Sequence, residues 1–134
     1  MSQLQKALAL CKEAHKGQFR SDGVTPYETH PIAVAELVST KGEKIVALLH
    51  DVLEDSDITF GRLDDEFGSD IAWAVLILTR RKIDTYKEYI SIVRNNILSR
   101  AVKIADMFHN LTCNPTERQK KKYFDAMKIL KGDE

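Results

Sequence analysis

An apolar run that leads directly into a group of imidazole and carboxylate side chains is the feature that most constrains this chain. Residues 45–49 read Ile-Val-Ala-Leu-Leu, and residues 50–55 continue as His-Asp-Val-Leu-Glu-Asp. The pattern predicts one helix through both segments, with His50 beside Glu54, because residues four apart share a helix face. A helix this apolar is expected to be buried, and buried charges are costly unless they are paired or bind a metal ion. The fold must therefore bring further polar groups to this helix.

The polar residues of this segment suit metal-assisted hydrolysis. Adjacent His50 and Asp51 offer an imidazole nitrogen and a carboxylate oxygen, a mixed donor pair that suits a divalent transition-metal ion. The acidic pair Glu54 and Asp55 can take a proton from water near such an ion. Glu54 lies one predicted turn beyond His50 and is our candidate base, with Asp55 orienting the water. The sequence leaves open an exchange of these two roles.

The composition is typical of a soluble helical protein. Of 134 residues, 43% are apolar and 30% are charged, and 20 acidic side chains balance 20 basic ones. This length favours one domain over residues 1–134, and zero net charge argues against binding a nucleic acid polymer. No apolar run approaches the ~20 residues of a membrane span, and no signal-peptide segment is visible. We therefore expect a cytoplasmic protein with no membrane partner, in which Cys11 and Cys113 are reduced thiols.

Apolar residues recur at helical spacing along most of the chain, and almost no segment alternates as a strand does. Caps, glycines and prolines delimit the segments, and residues 17–27 read as an irregular loop. The predicted helices cover approximately residues 2–16, 30–42, 43–56, 59–68, 69–79, 84–94, 97–111 and 115–130. The sequence thus predicts an all-α protein, a compact bundle of about eight helices. Trp73 and Ile97 are expected to face its core.

A second group of polar residues lies in the predicted helix 97–111. Asp106 follows an apolar stretch that draws its carboxylate inward, and Asn110 shares its face. His30 begins another helix, immediately before a proline. A set of two histidines and two aspartates from three helices suits Mn²⁺, Fe²⁺ or Zn²⁺ and is typical of a site inside a bundle. The candidate ligands are His30, His50, Asp51 and Asp106.

Three motifs occur in a fixed order along the chain. They are residues 14–20 with Gly23, Pro26-Tyr27 and His30-Pro31; residues 50–55; and residues 102–106 with His109-Asn110-Leu111. The order of a single His, a later His-Asp pair and a final Asp resembles the HD-domain metal phosphohydrolases. The surrounding residues narrow the resemblance to the RelA/SpoT-type alarmone hydrolase domains, and in particular to the single-domain small alarmone hydrolases.

The resemblance implies a fold, a reaction and residue roles. It implies an HD-domain helical bundle whose four candidate ligands bind one Mn²⁺ ion, or another divalent transition metal. The implied reaction removes the 3′-pyrophosphate of guanosine tetra- or pentaphosphate and leaves GDP or GTP, with Glu54 and Asp55 acting on the attacking water. Arg20 would pack against the purine, and Asn110 would lie near the sugar. Further implied contacts to phosphate or nucleotide are Lys16, Ser21, Lys103 and Arg80.

Some positions leave alternatives open. Met107 stands where the long enzymes usually carry Arg, and Ser21-Asp22 stand where a second basic residue is frequent. Rival substrates are therefore adenosine alarmones such as ppApp, NADPH or another nucleotide phosphate. A rival of a different class is a non-catalytic nucleotide-binding module. The basic run 120–122 is expected to be a solvated helix face, and the sequence leaves homo-oligomer formation open.

Overall fold

The computed structural model describes residues 1–132, and every regular element in that range is a helix. One isolated antiparallel bridge joins Phe19 to Pro26 in the loop after the first helix. This confirms the all-α prediction. Within these residues no helix is long and apolar enough to cross a membrane. The helices are α1 (Gln3–Ala14), α2 (Thr29–Leu37), α3 (Lys41–Leu49), α4 (Val52–Asp55), α5 (Phe60–Phe67), α6 (Ser69–Leu78), α7 (Tyr86–Arg94), α8 (Ile97–Leu111) and α9 (Glu117–Lys131).

Side-chain caps fix where most of these helices begin. In each capped helix an oxygen of the capping side chain accepts a hydrogen bond from a backbone N–H of the first turn, where that donor has no partner within the helix. Four of the caps are reciprocal capping boxes, at Ser2, Thr40, Thr85 and Thr116, and Thr59 and Asn96 cap α5 and α8. The predicted span of α8, residues 97–111, is accordingly confirmed.

Helix α3 is the centre of the packing. Residues 45–49 are all buried, and α3 contacts α1, α2, α6 and α8. A helix that is apolar on every side is stable only when other helices surround it. The same packing sets α2 and α8 against each other and against α3. The side chains of α2 and α8 that face the end of α3 therefore converge at one place.

The predicted continuous helix over residues 45–55 is wrong, because α3 ends at Leu49 and α4 begins at Val52. The cause is local. The ring Nδ1 of His50 lies 2.6 Å from the carbonyl oxygen of Ala47, which in a continued helix would accept the N–H of Asp51. Asp51 instead has φ −107° and ψ 0°. His50 and Asp51 thus project from a turn between two helices.

Three smaller predictions are also wrong. Gly42 does not end α2; it lies in the first turn of α3, because the capping box of Thr40 starts that helix earlier. Trp73 is 53% exposed and packs edge-on against Phe60, with ring centroids 5.1 Å apart. Ile97 is 84% exposed at the first position of α8. Helical spacing alone did not distinguish the buried positions from these two exposed ones.

Candidate active site

The four predicted ligands come together where α2, the end of α3 and α8 meet. His30 Nε2 lies 2.7 Å from Asp106 Oδ1, and His50 Nε2 lies 3.6 Å from the same oxygen. One ligand atom from each of these three buried residues lies within 4.8 Å of the others. Asp51 Oδ2 lies 3.1 Å from His50 Nε2. Two imidazoles and two carboxylates therefore face one small volume.

The state of His50 fits a metal ion. Its Nδ1 must be the donor to the carbonyl of Ala47, since a carbonyl oxygen only accepts, and in the neutral ring Nε2 then carries a lone pair. That Nε2 is buried and has no hydrogen-bond partner in the described part of the chain. Although Asp51 Oδ2 is only 3.1 Å away, the pair lacks hydrogen-bond geometry. A buried imidazole nitrogen that faces carboxylate oxygens without bonding to them is the arrangement a divalent ion would complete.

The charges of the cluster keep its carboxylates ionised. Burial opposes the ionisation of Asp106, but the Lys103 ammonium, 3.0 Å from Oδ2, and His30 hold the pKa of Asp106 well below its ordinary value. Burial likewise opposes the charge on Asp51, and His50 lowers its pKa. Although burial disfavours the imidazolium of His50, Asp51 and Asp106 raise its pKa well above the ordinary value. Without a cation Nε2 therefore carries a proton, and a metal ion would replace that proton. Two fixed negative charges thus stand ready for a cation.

Two side chains without a role in the sequence interpretation hold the ligands in place. The Tyr27 hydroxyl donates to Asp51 Oδ2 over 2.5 Å, and His109 Nδ1 lies 2.7 Å from His30 Nδ1. Partners of this kind fix the orientation of metal ligands. The sequence carried weak signals for both, because Tyr27 stands in the first motif and His109 lies three residues after Asp106 on α8.

The structure separates the acidic pair Glu54 and Asp55. Glu54 lines a cavity of about 180 Å³ that also exposes His50 and both aspartate ligands, and its Oε1 accepts the backbone N–H of Arg80 over 2.9 Å. Asp55 lines a different cavity of about 610 Å³ together with Gln18. Partial burial raises the pKa of both carboxyls. Of these two carboxyls, Glu54 is the one that lines the cavity of the candidate ligands.

The residues predicted to contact substrate fall into two groups. Arg20 and Asn110 lie together beside the cluster: Arg20 Nη2 donates to Asn110 Oδ1 over 3.1 Å, and Asn110 Nδ2 lies 3.4 Å from Asp106 Oδ1. Lys103 lies beside the same carboxylate. Lys16 and Ser21 are exposed, and within residues 1–132 neither side chain forms a hydrogen bond or an ion pair.

Fold and site together define an all-helical protein with a buried His/His/Asp cluster that can hold a metal ion. No protein-family model matches the sequence. The zebrafish (Danio rerio) protein guanosine-3′,5′-bis(diphosphate) 3′-pyrophosphohydrolase MESH1 is 31% identical over 149 residues, which cover 96% of this chain and 83% of that protein. The chain therefore belongs to the family of guanosine-3′,5′-bis(diphosphate) 3′-pyrophosphohydrolases, and the resemblance drawn from its motifs is confirmed.

Longer proteins and a solved structure show the same likeness. A pyrophosphohydrolase of this name from Haemophilus influenzae is 34% identical over 117 residues, and the Escherichia coli bifunctional (p)ppGpp synthase/hydrolase SpoT is 30% identical over 126. These matches cover 76% and 83% of this chain but only 17% and 18% of the two relatives. The structure of a metazoan ortholog of SpoT that hydrolyses ppGpp has a TM-score of 0.75 and 27% identity, and the match covers 96% of this chain and 84% of that one.

Proposed function

We propose that the protein is a metal-dependent hydrolase that removes the 3′-pyrophosphate of guanosine tetra- or pentaphosphate and leaves GDP or GTP. The observation that carries this proposal is the buried Nε2 of His50, which has no hydrogen-bond partner within residues 1–132 and faces Asp51 and Asp106. Sequence similarity supports the proposal as well, because the relatives from Haemophilus influenzae and zebrafish are named for this activity.

The proposed ligands of one Mn²⁺, or of another divalent transition metal, are His30, His50, Asp51 and Asp106. Nitrogen and oxygen donors in this proportion suit such ions. When bound, a divalent ion supplies Lewis-acid polarisation of a phosphoryl oxygen and lowers the pKa of water. The chain itself contributes two ionised carboxylates and a His50 ring oriented by the Ala47 carbonyl.

The remaining residues supply proton transfer and binding. Glu54 takes the proton from the attacking water, whose oxygen bonds to the phosphorus next to the ribose 3′ oxygen while the bond to that oxygen breaks. The ribose 3′ oxygen leaves with the bonding electron pair and takes up a proton to become the 3′-hydroxyl of GDP or GTP. The backbone N–H of Arg80 holds the Glu54 carboxylate in the cavity. Arg20, fixed by Asn110, presents a flat guanidinium on which a purine can stack. In this proposal the nucleoside lies on the Arg20 side and the pyrophosphate on the Glu54 side.

The test uses protein stripped of metal, assayed with and without Mn²⁺ on ppGpp, ppApp and NADPH. We expect Mn²⁺-dependent release of pyrophosphate that is fastest from ppGpp. Activity on another substrate alone would contradict the guanosine assignment and keep the hydrolase. Bound Mn²⁺ without turnover on any substrate would favour a nucleotide-binding module instead.

Tyr27→Phe is expected to weaken Mn²⁺ binding by about 10-fold, the lower end of the effect of losing a partner to a metal ligand. The change removes only the hydroxyl that donates to Asp51 and keeps the ring that packs on His15 and His30. Titration of metal-free protein with Mn²⁺ measures the affinity, and turnover at saturating Mn²⁺ should fall much less. An unchanged Mn²⁺ affinity would show that Tyr27 does not position Asp51.

A further inference from the structure

Helix α4, which carries Glu54 and Asp55, is a single turn of four residues. Its turn is closed by the Asp55 N–H, which donates to the Asp51 carbonyl oxygen over 3.0 Å, and no side chain among residues 1–132 caps its first turn. A helix this short is not stable by itself. Contacts with the rest of the fold must therefore set the direction in which the two carboxylates point.

The side-chain amide of Gln18 binds the C-terminal end of α4. Its Nε2 donates to the backbone carbonyl oxygen of Asp55 over 2.6 Å, and carbonyl groups at this end of a helix have no partner within the helix. The same Nε2 donates over 3.2 Å to the carbonyl oxygen of Ala14, the last residue of α1. One amide thus ties the end of α4 to the end of α1.

His15 determines which way the Gln18 amide faces. The Nδ1 of this buried histidine lies 2.9 Å from Gln18 Oε1. Because Gln18 Nε2 donates to two carbonyl oxygens, Oε1 is the acceptor in this contact, and His15 Nδ1 must carry the proton. A turned amide would place Oε1 against two carbonyl oxygens, which cannot donate. The hydrogen bond from His15 therefore selects the orientation that binds α4.

The same histidine packs on the residue that orients a metal-ligand candidate. The ring centroids of His15 and Tyr27 lie 4.8 Å apart, and the Tyr27 hydroxyl donates to Asp51. The backbone N–H of Tyr27 in turn donates to the Gln18 carbonyl oxygen over 2.9 Å. His15 and Gln18 thus contact both the end of α4 and the side chain that supports the metal cluster.

We propose that Gln18, oriented by His15, is a positioning residue for the acidic pair of α4. By holding the Asp55 carbonyl oxygen, Gln18 fixes the angle of α4 and with it the place of the Glu54 carboxylate beside the candidate metal ligands. This inference rests on the proposed function for its reaction. A base must lie within about 2.6–3.2 Å of the group whose proton it takes. Loss of the Gln18 amide should therefore slow the chemical step more than it weakens binding.

Gln18→Met tests the role of the amide, because methionine has a similar length and cannot donate. We expect kcat for ppGpp to fall by about 10- to 100-fold, the scale of a small misplacement of a reacting group, with much smaller changes in KM and Mn²⁺ affinity. Gln3→Met is the matched control, since Gln3 Nε2 donates over 3.0 Å to the backbone carbonyl oxygen of Glu66 in α5. An equal fall in the control, or an unchanged kcat in Gln18→Met, would overturn the proposal.

Two further comparisons separate positioning from a general loss of stability. If the amide acts through Glu54, Gln18→Met should cause little further loss in a Glu54→Gln background, and fully additive losses would contradict the proposal. His15→Asn keeps an N–H donor near the place of Nδ1, so its kcat should stay closer to wild type than that of His15→Leu. Equal losses in the two His15 variants would contradict the role of the histidine.

Amide hydrogen exchange tests the hold on α4 independently of turnover. The Asp55 N–H, which closes α4, should exchange faster in Gln18→Met than in wild type or Gln3→Met, because α4 opens more often without the amide. If the wild type does not hydrolyse ppGpp but shows this pattern, the hold on α4 stands and the proposed function fails. Unchanged exchange of the Asp55 N–H in Gln18→Met would overturn the inference even in an active enzyme.

Discussion

Asp106→Asn is expected to abolish both metal retention and pyrophosphate release. One carboxylate oxygen of Asp106 lies 2.7 Å from His30 Nε2 and 3.6 Å from His50 Nε2, and the other lies 3.0 Å from Lys103 Nζ. The amide that replaces it carries no charge, so the cluster loses the anion that draws its cationic partners together. Turnover that depends on the ion should fall with occupancy, and we expect a loss of at least about 1,000-fold in kcat/KM.

The same substitution has a separate structural cost. It leaves the Lys103 ammonium, whose side chain is only 15% exposed, without its carboxylate, and breaking one side of a buried pair typically costs about 3–5 kcal/mol. Urea unfolding of metal-free protein measures this cost without contribution from the ion. The double variant Asp106→Asn with Lys103→Met should regain much of the stability and none of the metal binding. Wild-type Mn²⁺ content in Asp106→Asn, measured after dialysis, would contradict the ligand assignment.

The sequence predicted most helices well because their start signals are local. Ser2, Thr59 and Asn96 each bind a backbone N–H within three residues, and such short-range chemistry can be read from neighbouring letters. The proximity of His30, His50 and Asp106 was also predictable, since polar groups on apolar helices must meet partners. These predictions needed no knowledge of which helices pack together.

The predictions that failed depend on side-chain contacts that helical periodicity does not reveal. The turn at His50 and Asp51 exists because the His50 ring donates to the Ala47 carbonyl, which in a continued helix would accept the N–H of Asp51. Helix propensities do not predict this replacement of one donor by the other. Glu54 and Asp55 are adjacent residues of α4 and therefore point to different sides of that helix, so the two carboxylates enter different cavities. That one domain spans the chain stays a prediction, as do the catalytic and substrate roles of the site residues.

Glu54→Gln is expected to keep the metal and lose turnover by about 100- to 10,000-fold, the usual contribution of a general base. Glutamine has the same shape and retains an oxygen that can accept the Arg80 N–H now held at 2.9 Å, so the cavity should keep its form. Single-turnover rates with ppGpp at saturating Mn²⁺ measure the chemical step, and metal analysis of the same sample checks occupancy. Wild-type rates in this variant would remove Glu54 from the reaction.

Asp55→Asn is the matched comparison, since it makes the equivalent change one residue away, where the side chain lines the other cavity. A smaller loss in Asp55→Asn assigns the base to Glu54, whereas a larger one exchanges the two roles.

The pH profile separates a base from a merely structural carboxylate. Burial, together with the charges of Asp51 and Asp55, raises the pKa of Glu54, so the wild-type rate should fall as the pH decreases through a value above that of an ordinary glutamate. Because glutamine does not titrate, that acidic limb should be absent from the residual activity of Glu54→Gln and present in that of Asp55→Asn.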